Sequence, residues 1–172
     1  MNVWSPFSLE YHNRDGGTSA APKRRVPIAD DGPIILRGDP MRLAGGVPMQ
    51  YVAGEGTFGV AVHDFQDWNA AYGRKDAPSG NFALVHPTKD EAIVYRVQAL
   101  DLESEVAQEV LQTVLGNSFD MAGDPGEMYL DVSAAGTDWL VIDILAGVSE
   151  WGDLYPILLV KNVNAQVADA VL

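Results

Sequence analysis

Short apolar runs separated by turn residues recur along most of the chain. Their spacing of roughly eight to twelve residues is typical of an all-β sandwich or barrel. The two most apolar runs, 139–145 and 155–160, are expected to be central strands. The predicted strands cover 34–36, 41–43, 48–53, 58–62, 82–85, 92–97, 128–132, 139–145 and 155–160. The pattern therefore predicts a mainly β domain with a sandwich-like or barrel-like architecture.

One segment has a helical period instead of a strand period. Its apolar residues stand at 102, 106, 110, 111, 114 and 115. Asp101 suits the N-cap position, and Gly116 stands where a glycine commonly ends a helix. The sequence thus predicts one α-helix over about 101–115, whose apolar face packs on a sheet.

Residues 1–32 lack periodicity and are rich in small and turn-forming residues, as in 16–22. We expect them to form an extended N-terminal arm, whereas 33–172 form a single β-rich domain. The arm carries four large apolar side chains that are expected to leave water: Trp4, Phe7, Leu9 and Tyr11. The alternate spacing of the last three favours an added strand or a segment bound in a groove.

The formal net charge is -13, and this acidic balance disfavours nucleic acid as a partner. The charge is uneven, because residues 1–42 hold six of the eleven basic residues and five of the 24 acidic ones. Lys23, Arg24 and Arg25 are consecutive. They are either part of a solvated surface or a means of docking the arm onto an acidic partner.

The sequence also argues against several classes of protein. No apolar run reaches about 18 residues, so no transmembrane helix and no membrane partner are predicted. The first residues lack the pattern of a secretory signal. Cysteine is absent, which removes disulfides, thiolate metal sites and cysteine nucleophiles and is compatible with assembly in the cytoplasm.

The segment Gly54-Glu55-Gly56-Thr57-Phe58-Gly59-Val60 matches the glycine-rich loop that covers ATP phosphates in protein kinases. That loop functions with a strand lysine and with His-Arg-Asp and Asp-Phe-Gly motifs, and neither motif occurs in the chain. We therefore predict that Gly54, Gly56 and Gly59 are structural turn residues of a hairpin. Gly38, Asp39 and Pro40 form a second predicted structural turn, and no cofactor is predicted.

Four carboxylates near two glycines could bind calcium through their oxygens, although their spacing does not fit an EF-hand loop. They are Asp120, Asp124, Glu127 and Asp131. A solvated turn is the simpler interpretation, and no metal ligand is predicted. Two further interpretations stay open.

The first alternative is a small β-barrel hydrolase or isomerase that uses an acid with His63 or His86. No serine lies in a nucleophile elbow and no histidine has a partner at metal-ligand spacing, so no catalytic residue is predicted. The second alternative is a carbohydrate-binding or adhesion module of a phage tail, with Trp68 and Trp151 stacking on sugars.

A larger frame surrounds the glycine segment. It consists of Gly38-Asp39-Pro40-Met41-x-Leu43, a glycine hairpin and Gly56-x-x-Gly59-Val60-Ala61. This frame resembles a motif of the decoration, or cement, proteins of tailed-phage heads, in which a Gly-Asp-Pro turn starts a strand pair and a Gly-Val-Ala strand closes it. Residues 116–120 and 160–163 are also similar, so the resemblance spans about 33–165. The arm and the basic cluster have no counterpart in that pattern.

The resemblance implies a β-tulip-like domain with one helix and no enzymatic activity. It implies a virion protein that is assembled in the host cytoplasm and binds the outer capsid surface. The implied partners are the major capsid protein and further copies of the chain, as a homotrimer. The arm and the basic cluster supply the expected partner-binding residues: Trp4, Phe7, Leu9, Tyr11, Lys23, Arg24 and Arg25.

Overall fold

The structure is a computed structural model that describes residues 8–12, 23–27, 33–64, 82–89, 93–103 and 106–166. These ranges contain twelve strands and one short 3-10 helix. The strands are β1 (Ser8–His12), β2 (Arg24–Pro27), β3 (Pro40–Ala44), β4 (Val47–Gln50), β5 (Gly59–Ala61), β6 (Phe82–Pro87), β7 (Ile93–Glu103), β8 (Val106–Gln108), β9 (Ser118–Ala122), β10 (Tyr129–Asp131), β11 (Trp139–Ile144) and β12 (Ile157–Asn162). The 3-10 helix is Gln112–Val114.

The first sheet has seven strands in the order β1-β7-β10-β9-β11-β12, with β8 paired to β7. Because β12 pairs with both β11 and β7, the path β7-β10-β9-β11-β12 returns to β7 and closes into a small barrel. Only the β7–β10 pair is parallel among the described pairs of this sheet. Closure removes the edges of these five strands.

The second sheet has five antiparallel strands in the order β2-β6-β5-β3-β4. It has its own core around Ile35, Met41 and Val85, all nearly inaccessible to solvent. Val60 of β5 packs in the core of the first sheet, so the two sheets share an interface. The prediction of a mainly β, sandwich-like fold is confirmed.

The barrel core is organised around Trp139 and Tyr95. Trp139 is fully buried, and its ring meets the Tyr95 ring edge-on, with centroids 5.5 Å apart and planes at 87°. This geometry is favourable because the positive edge of one ring faces the negative face of the other. The predicted central strand 139–145 accordingly supplies the largest buried side chain as the first residue of β11.

Strand β7 is buried on both faces. From Ile93 to Leu100 every residue except Arg96 is buried. The strand has partners on both edges, with β1 and β10 on one and β12 and β8 on the other, and it continues beyond the predicted end at 97. A strand covered on both faces needs a nearly continuous apolar run, and this sequence has one.

The predicted α-helix over 101–115 is wrong. Residues 101–103 end β7, 106–108 form β8, and the hairpin pairs Leu102 with Ala107. Val110 is buried in the barrel core, whereas Val106 is 61% exposed, so the predicted apolar face does not exist. Strand pairing overrides the helical period here, and β-branched valines favour the extended backbone. Gly116 has a left-handed φ of 79° and follows a 3-10 helix, not an α-helix.

The described parts of the predicted arm are extended and pair within the chain. β1 runs antiparallel to β7, and β2 runs antiparallel to β6. Val26 in β2 is only 3% exposed and belongs to the core of the second sheet. Both segments are therefore integral to the sheets.

One predicted strand is nearly absent from the structure, and one observed strand was not predicted. In the predicted strand 34–36, only Ile35 forms a single β-bridge. Strand β9 has no counterpart among the predicted strands, although Phe119 and Met121 alternate inward as in any half-buried strand. Glycines and acids around this short run obscured the alternation.

We expect Trp139→Ala to lower the free energy of unfolding by about 3–5 kcal/mol, because the change removes a fully buried ring and leaves a cavity. Trp151→Ala is the matched control, since Trp151 is only half-buried at the edge of the same core. Urea denaturation followed by circular dichroism measures both. Equal losses for the two variants would contradict this account of the core.

Candidate functional site

The predicted turn before β3 is held by the buried Asp39 carboxylate. Gly38 has a left-handed φ of 90°, and its N–H donates to the Ala61 carbonyl at 2.9 Å. The carboxylate accepts the N–H groups of Leu36 and Gly126, each at 2.8 Å. Burial raises the pKa of Asp39, although these two N–H groups oppose the shift. The turn thus connects the second sheet to the loop between β9 and β10.

The glycine segment connects β4 to β5. Gly54 and Gly56 have left-handed φ values of 77° and 81° and are turn residues, as predicted. The turn does not form a hairpin, because β4 and β5 each pair with β3 and not with each other. Gly59 differs from the prediction, because it is the first residue of β5 and not a turn residue. A Cβ atom at Gly59 would lie 2.9 Å from the carbonyl oxygen of His86 on β6. Close strand packing therefore explains this glycine.

The predicted partner-binding residues of the arm lie on different sheets where the structure describes them. Leu9 and Tyr11 belong to β1 on the first sheet. The basic cluster lies at β2 on the second sheet. Trp4 and Phe7 lie outside the described residues. These residues are therefore not brought together into one site in the described part of the chain.

The basic cluster is exposed. Lys23 directly precedes β2, and Arg24 and Arg25 are its first two residues. The guanidinium carbon of Arg24 lies 5.4 Å from the centroid of the Phe58 ring, which is a favourable cation–π distance. The stacking orients one arginine while leaving its charge at the surface.

The most connected polar group is the carboxylate of Asp138, which is fully buried directly before β11. One oxygen accepts the Tyr51 hydroxyl at 2.5 Å and the Gly54 N–H at 3.1 Å. The other accepts the Asn164 side-chain amide at 2.8 Å and the Thr137 hydroxyl at 3.2 Å. Four donors satisfy the acceptor capacity of a carboxylate, which a buried charge requires.

This hydrogen-bond junction joins distant parts of the chain. The Tyr51 hydroxyl, which donates to Asp138, also accepts the Met121 N–H of β9 at 3.3 Å. Burial and the neighbouring Asp138 raise the pKa of Tyr51 far above its ordinary value, so its proton stays in place. Asp120 accepts the N–H of Asp138 at 3.1 Å. All of these donors belong to the protein itself, so the junction fixes the two sheets relative to each other. The oxygens of the Asp138 carboxylate are therefore not available to a ligand.

His63 has a structural environment. Its Nε2 accepts the Leu84 N–H at 3.1 Å, and its Nδ1 lies 2.9 Å from the Asp64 carbonyl oxygen. These contacts assign the proton to Nδ1 and tie the segment after β5 to β6. His86 is a buried residue of β6. Among the described residues, neither histidine lines the two cavities described below.

Two of the four acids that could bind calcium accept hydrogen bonds from nearby protein groups. Asp120 accepts the N–H groups of Thr137 and Asp138, and Asp131 accepts the N–H and hydroxyl of Ser133. Within the described ranges, no three histidine or acidic side chains come together in a way that could hold a metal ion. Asp120 and Asp131 thus stabilise turns at this end of the barrel by accepting hydrogen bonds.

The tryptophans proposed to stack on sugars are not presented as a pair in the described residues. Trp151 packs against the barrel core and is only partly accessible. Trp68 lies outside the described residues. The carbohydrate interpretation therefore gains no support from Trp151.

A small cavity lies between the Asp39 turn and the loop after β9. Its volume is about 60 Å³, and Asp39, Tyr51, Gly123 and Met128 are among its lining residues. Ligand sites usually enclose roughly 300–1,000 Å³. This cavity can hold water but not an organic substrate.

The loop between β11 and β12 exposes apolar side chains on a well-defined backbone. Val148 is 64% exposed, Leu154 and Tyr155 are each 43% exposed, and all three line an open depression of about 550 Å³. Leu111 is exposed beside them, because Val110 exchanges backbone hydrogen bonds with Gly152 and Asp153. We call Leu111, Val148, Leu154 and Tyr155 the loop surface. The sequence analysis missed it, because it placed Leu111 on the packed face of the predicted helix and Tyr155 in the predicted strand 155–160.

No helix within the described ranges is long and apolar enough to cross a membrane. Comparison with protein-family models, curated proteins and solved structures found no match for the chain.

We expect a coupling free energy of about 1.5–3 kcal/mol between Tyr51 and Asp138, because a buried carboxylate accepts this hydroxyl hydrogen bond. The measurement is a double-mutant cycle of Tyr51→Phe and Asp138→Asn in urea. Tyr129→Phe with Asp138→Asn is the control, and it should show no coupling. A coupling below about 0.5 kcal/mol for the first pair would contradict the junction.

The raised pKa of Asp39 predicts a pH dependence of stability. The native state holds this proton more tightly than the unfolded chain, so Asp39 favours the native state most at low pH. That contribution is lost as pH rises from about 3.8, the ordinary value, through the raised native pKa. The unfolding free energy of the wild type minus that of Asp39→Asn should therefore decrease as pH rises through this window. Asp124→Asn is the control, and an increasing difference at Asp39 would refute the effect of burial.

Proposed function

We propose that this chain is a structural protein of a tailed-phage virion without enzymatic activity. It is a decoration, or cement, protein that binds the outer surface of the capsid. Its partner is the major capsid protein, and it stabilises the contacts between neighbouring capsid subunits. It is assembled onto the particle in the host cytoplasm.

The strand pairing of residues 38–61 carries the proposal. In the family that the sequence resembles, a Gly-Asp-Pro turn starts a strand pair and a Gly-Val-Ala strand closes it. Here Pro40 begins β3, a hairpin joins β3 to β4, and Gly59–Ala61 form β5 beside β3. Pro40 pairs with Val60, so the two ends of the motif are neighbours. The agreement between motif and pairing supports the proposal.

The internal connections of the molecule suit a mechanical role. A protein that bridges two subunits stabilises their contact only to the extent that separation must break its own binding contacts. If the bridging protein deformed instead, the capsid subunits could separate with little change in free energy. The buried junction at Asp138 and the Asp39 turn connect the two sheets through hydrogen bonds, and such connections favour a bridging function.

Strands β1 and β2 restrict which variants can test whether the arm binds the capsid. Deleting residues 1–30 would remove β1 and β2 together with the buried Val26, so loss of binding could follow from unfolding. Substitution of single side chains avoids this ambiguity. Trp4 and Phe7 are the large apolar residues of the arm that precede β1.

We expect Trp4→Ala/Phe7→Ala to weaken capsid binding by about tenfold or more, because large aromatic anchors dominate interface energies. The assay is co-sedimentation of the purified full chain with capsids from a phage mutant that lacks it. Ile34→Ala is the control, since Ile34 is an exposed apolar side chain outside the arm. Two results would overturn the proposal: no binding of the wild-type chain, or its absence from intact virions by mass spectrometry.

A further inference from the structure

Two exposed surfaces of the chain are complementary in charge. From this we infer that the basic cluster at β2 of one copy docks on the loop surface of a second copy. The inference goes beyond the proposed function, because it requires no capsid and concerns the purified chain alone. The contact is heterologous, since a different patch of each copy takes part.

The loop surface is held in place before any partner arrives. The Ile157 N–H donates to the Ser149 hydroxyl at 2.8 Å, and the Glu150 N–H donates to the Asp153 carboxylate at 2.9 Å. The Leu145 N–H donates to the Ile157 carbonyl at 2.9 Å, which closes the base of the loop. A preorganised surface loses little conformational entropy on binding. Exposed apolar side chains on such a loop are typical of an interaction site.

The two segments that carry the loop surface are acidic. The two segments that build it, 106–117 and 145–157, contain no lysine or arginine. They contain three exposed acids, Glu109, Glu150 and Asp153. The complementary partner therefore offers positive charge beside groups that can cover apolar side chains.

The basic cluster has both properties. Strand β2 is the terminal strand of the second sheet, and its cross-strand neighbours are apolar, with Arg24 opposite Val85 and Arg25 opposite Leu84. Arginine side chains can cover apolar surface with their methylene groups while their guanidinium groups pair with carboxylates or stack on tyrosine.

A second copy is the occupant that the charge distribution favours. The chain has a formal net charge of -13, so two copies repel each other in most orientations. The consecutive cations Lys23, Arg24 and Arg25 make an attractive orientation possible, in which the basic cluster faces the acidic loop surface. Such complementarity selects one geometry among many.

The test uses sedimentation equilibrium of the full chain over a range of concentrations. We expect Lys23→Glu/Arg24→Glu/Arg25→Glu to weaken self-association by about tenfold or more, because several charge pairs are reversed together. Glu109→Lys/Glu150→Lys should weaken it too, even though this variant lowers the net negative charge. Combining all five substitutions should restore association, although the combined protein is more negative than the wild type.

The controls separate this contact from general charge effects. Lys89→Glu and Glu127→Lys change exposed charges elsewhere and should leave association unchanged. Thermal unfolding of each variant checks the fold, and Lys23→Glu alone replaces the triple variant if that one is destabilised. Three results overturn the inference: a wild-type chain that is monomeric throughout, stronger or unchanged association of Glu109→Lys/Glu150→Lys, or no recovery in the combined protein. In the first case the cations serve only to protect a terminal strand from aggregation.

Discussion

The buried carboxylate of Asp138 must have all its hydrogen-bond donors in place, and this requirement shapes much of the structure. A charge without solvent is tolerated only when protein groups replace the lost water. The donors come from the connection after β4, from the residue before Asp138 and from the segment after β12. The two sheets and the end of the described chain therefore reach their relative positions together. A structure with one of these segments displaced would leave a buried charge unsatisfied.

Barrel closure and the junction reinforce each other. The closed path through β7 and β12 leaves an interior that Trp139 and Tyr95 fill, and the residue just before Trp139 is Asp138. The same turn that directs the indole inward thus places the carboxylate against the second sheet. Because one short segment serves both purposes, the apolar core and the polar interface cannot shift independently. This coupling limits where ligands could bind, and it leaves the loops and the terminal strands as the variable surfaces.

The sequence predicted those parts of the fold that depend on local pattern. The apolar runs at 139–145 and 155–160 became β11 and β12, and the turns at Gly38 and Gly54 have the expected left-handed backbone. The helix prediction failed because the period of 101–115 fitted a helix, while pairing across the hairpin with β7 determined the outcome. Asp138 could not be recognised as the centre of the junction, since Tyr51, Gly54 and Asn164 are far away from it in sequence. The loop surface was equally hidden, because exposure depends on what the remaining chain covers.

The pairing of β1 with β7 also has a consequence for biosynthesis. His12 lies opposite Ile93, so the first strand leaves the ribosome long before its partner is made. Until then an extended segment with unpaired main-chain groups stays exposed, a state that favours association between nascent chains. Such long-range pairing also slows folding, because the entropy of closing a long loop is lost before the contacts form. We therefore expect the order in which the strands are synthesised, as well as their final arrangement, to affect the yield of correctly folded protein.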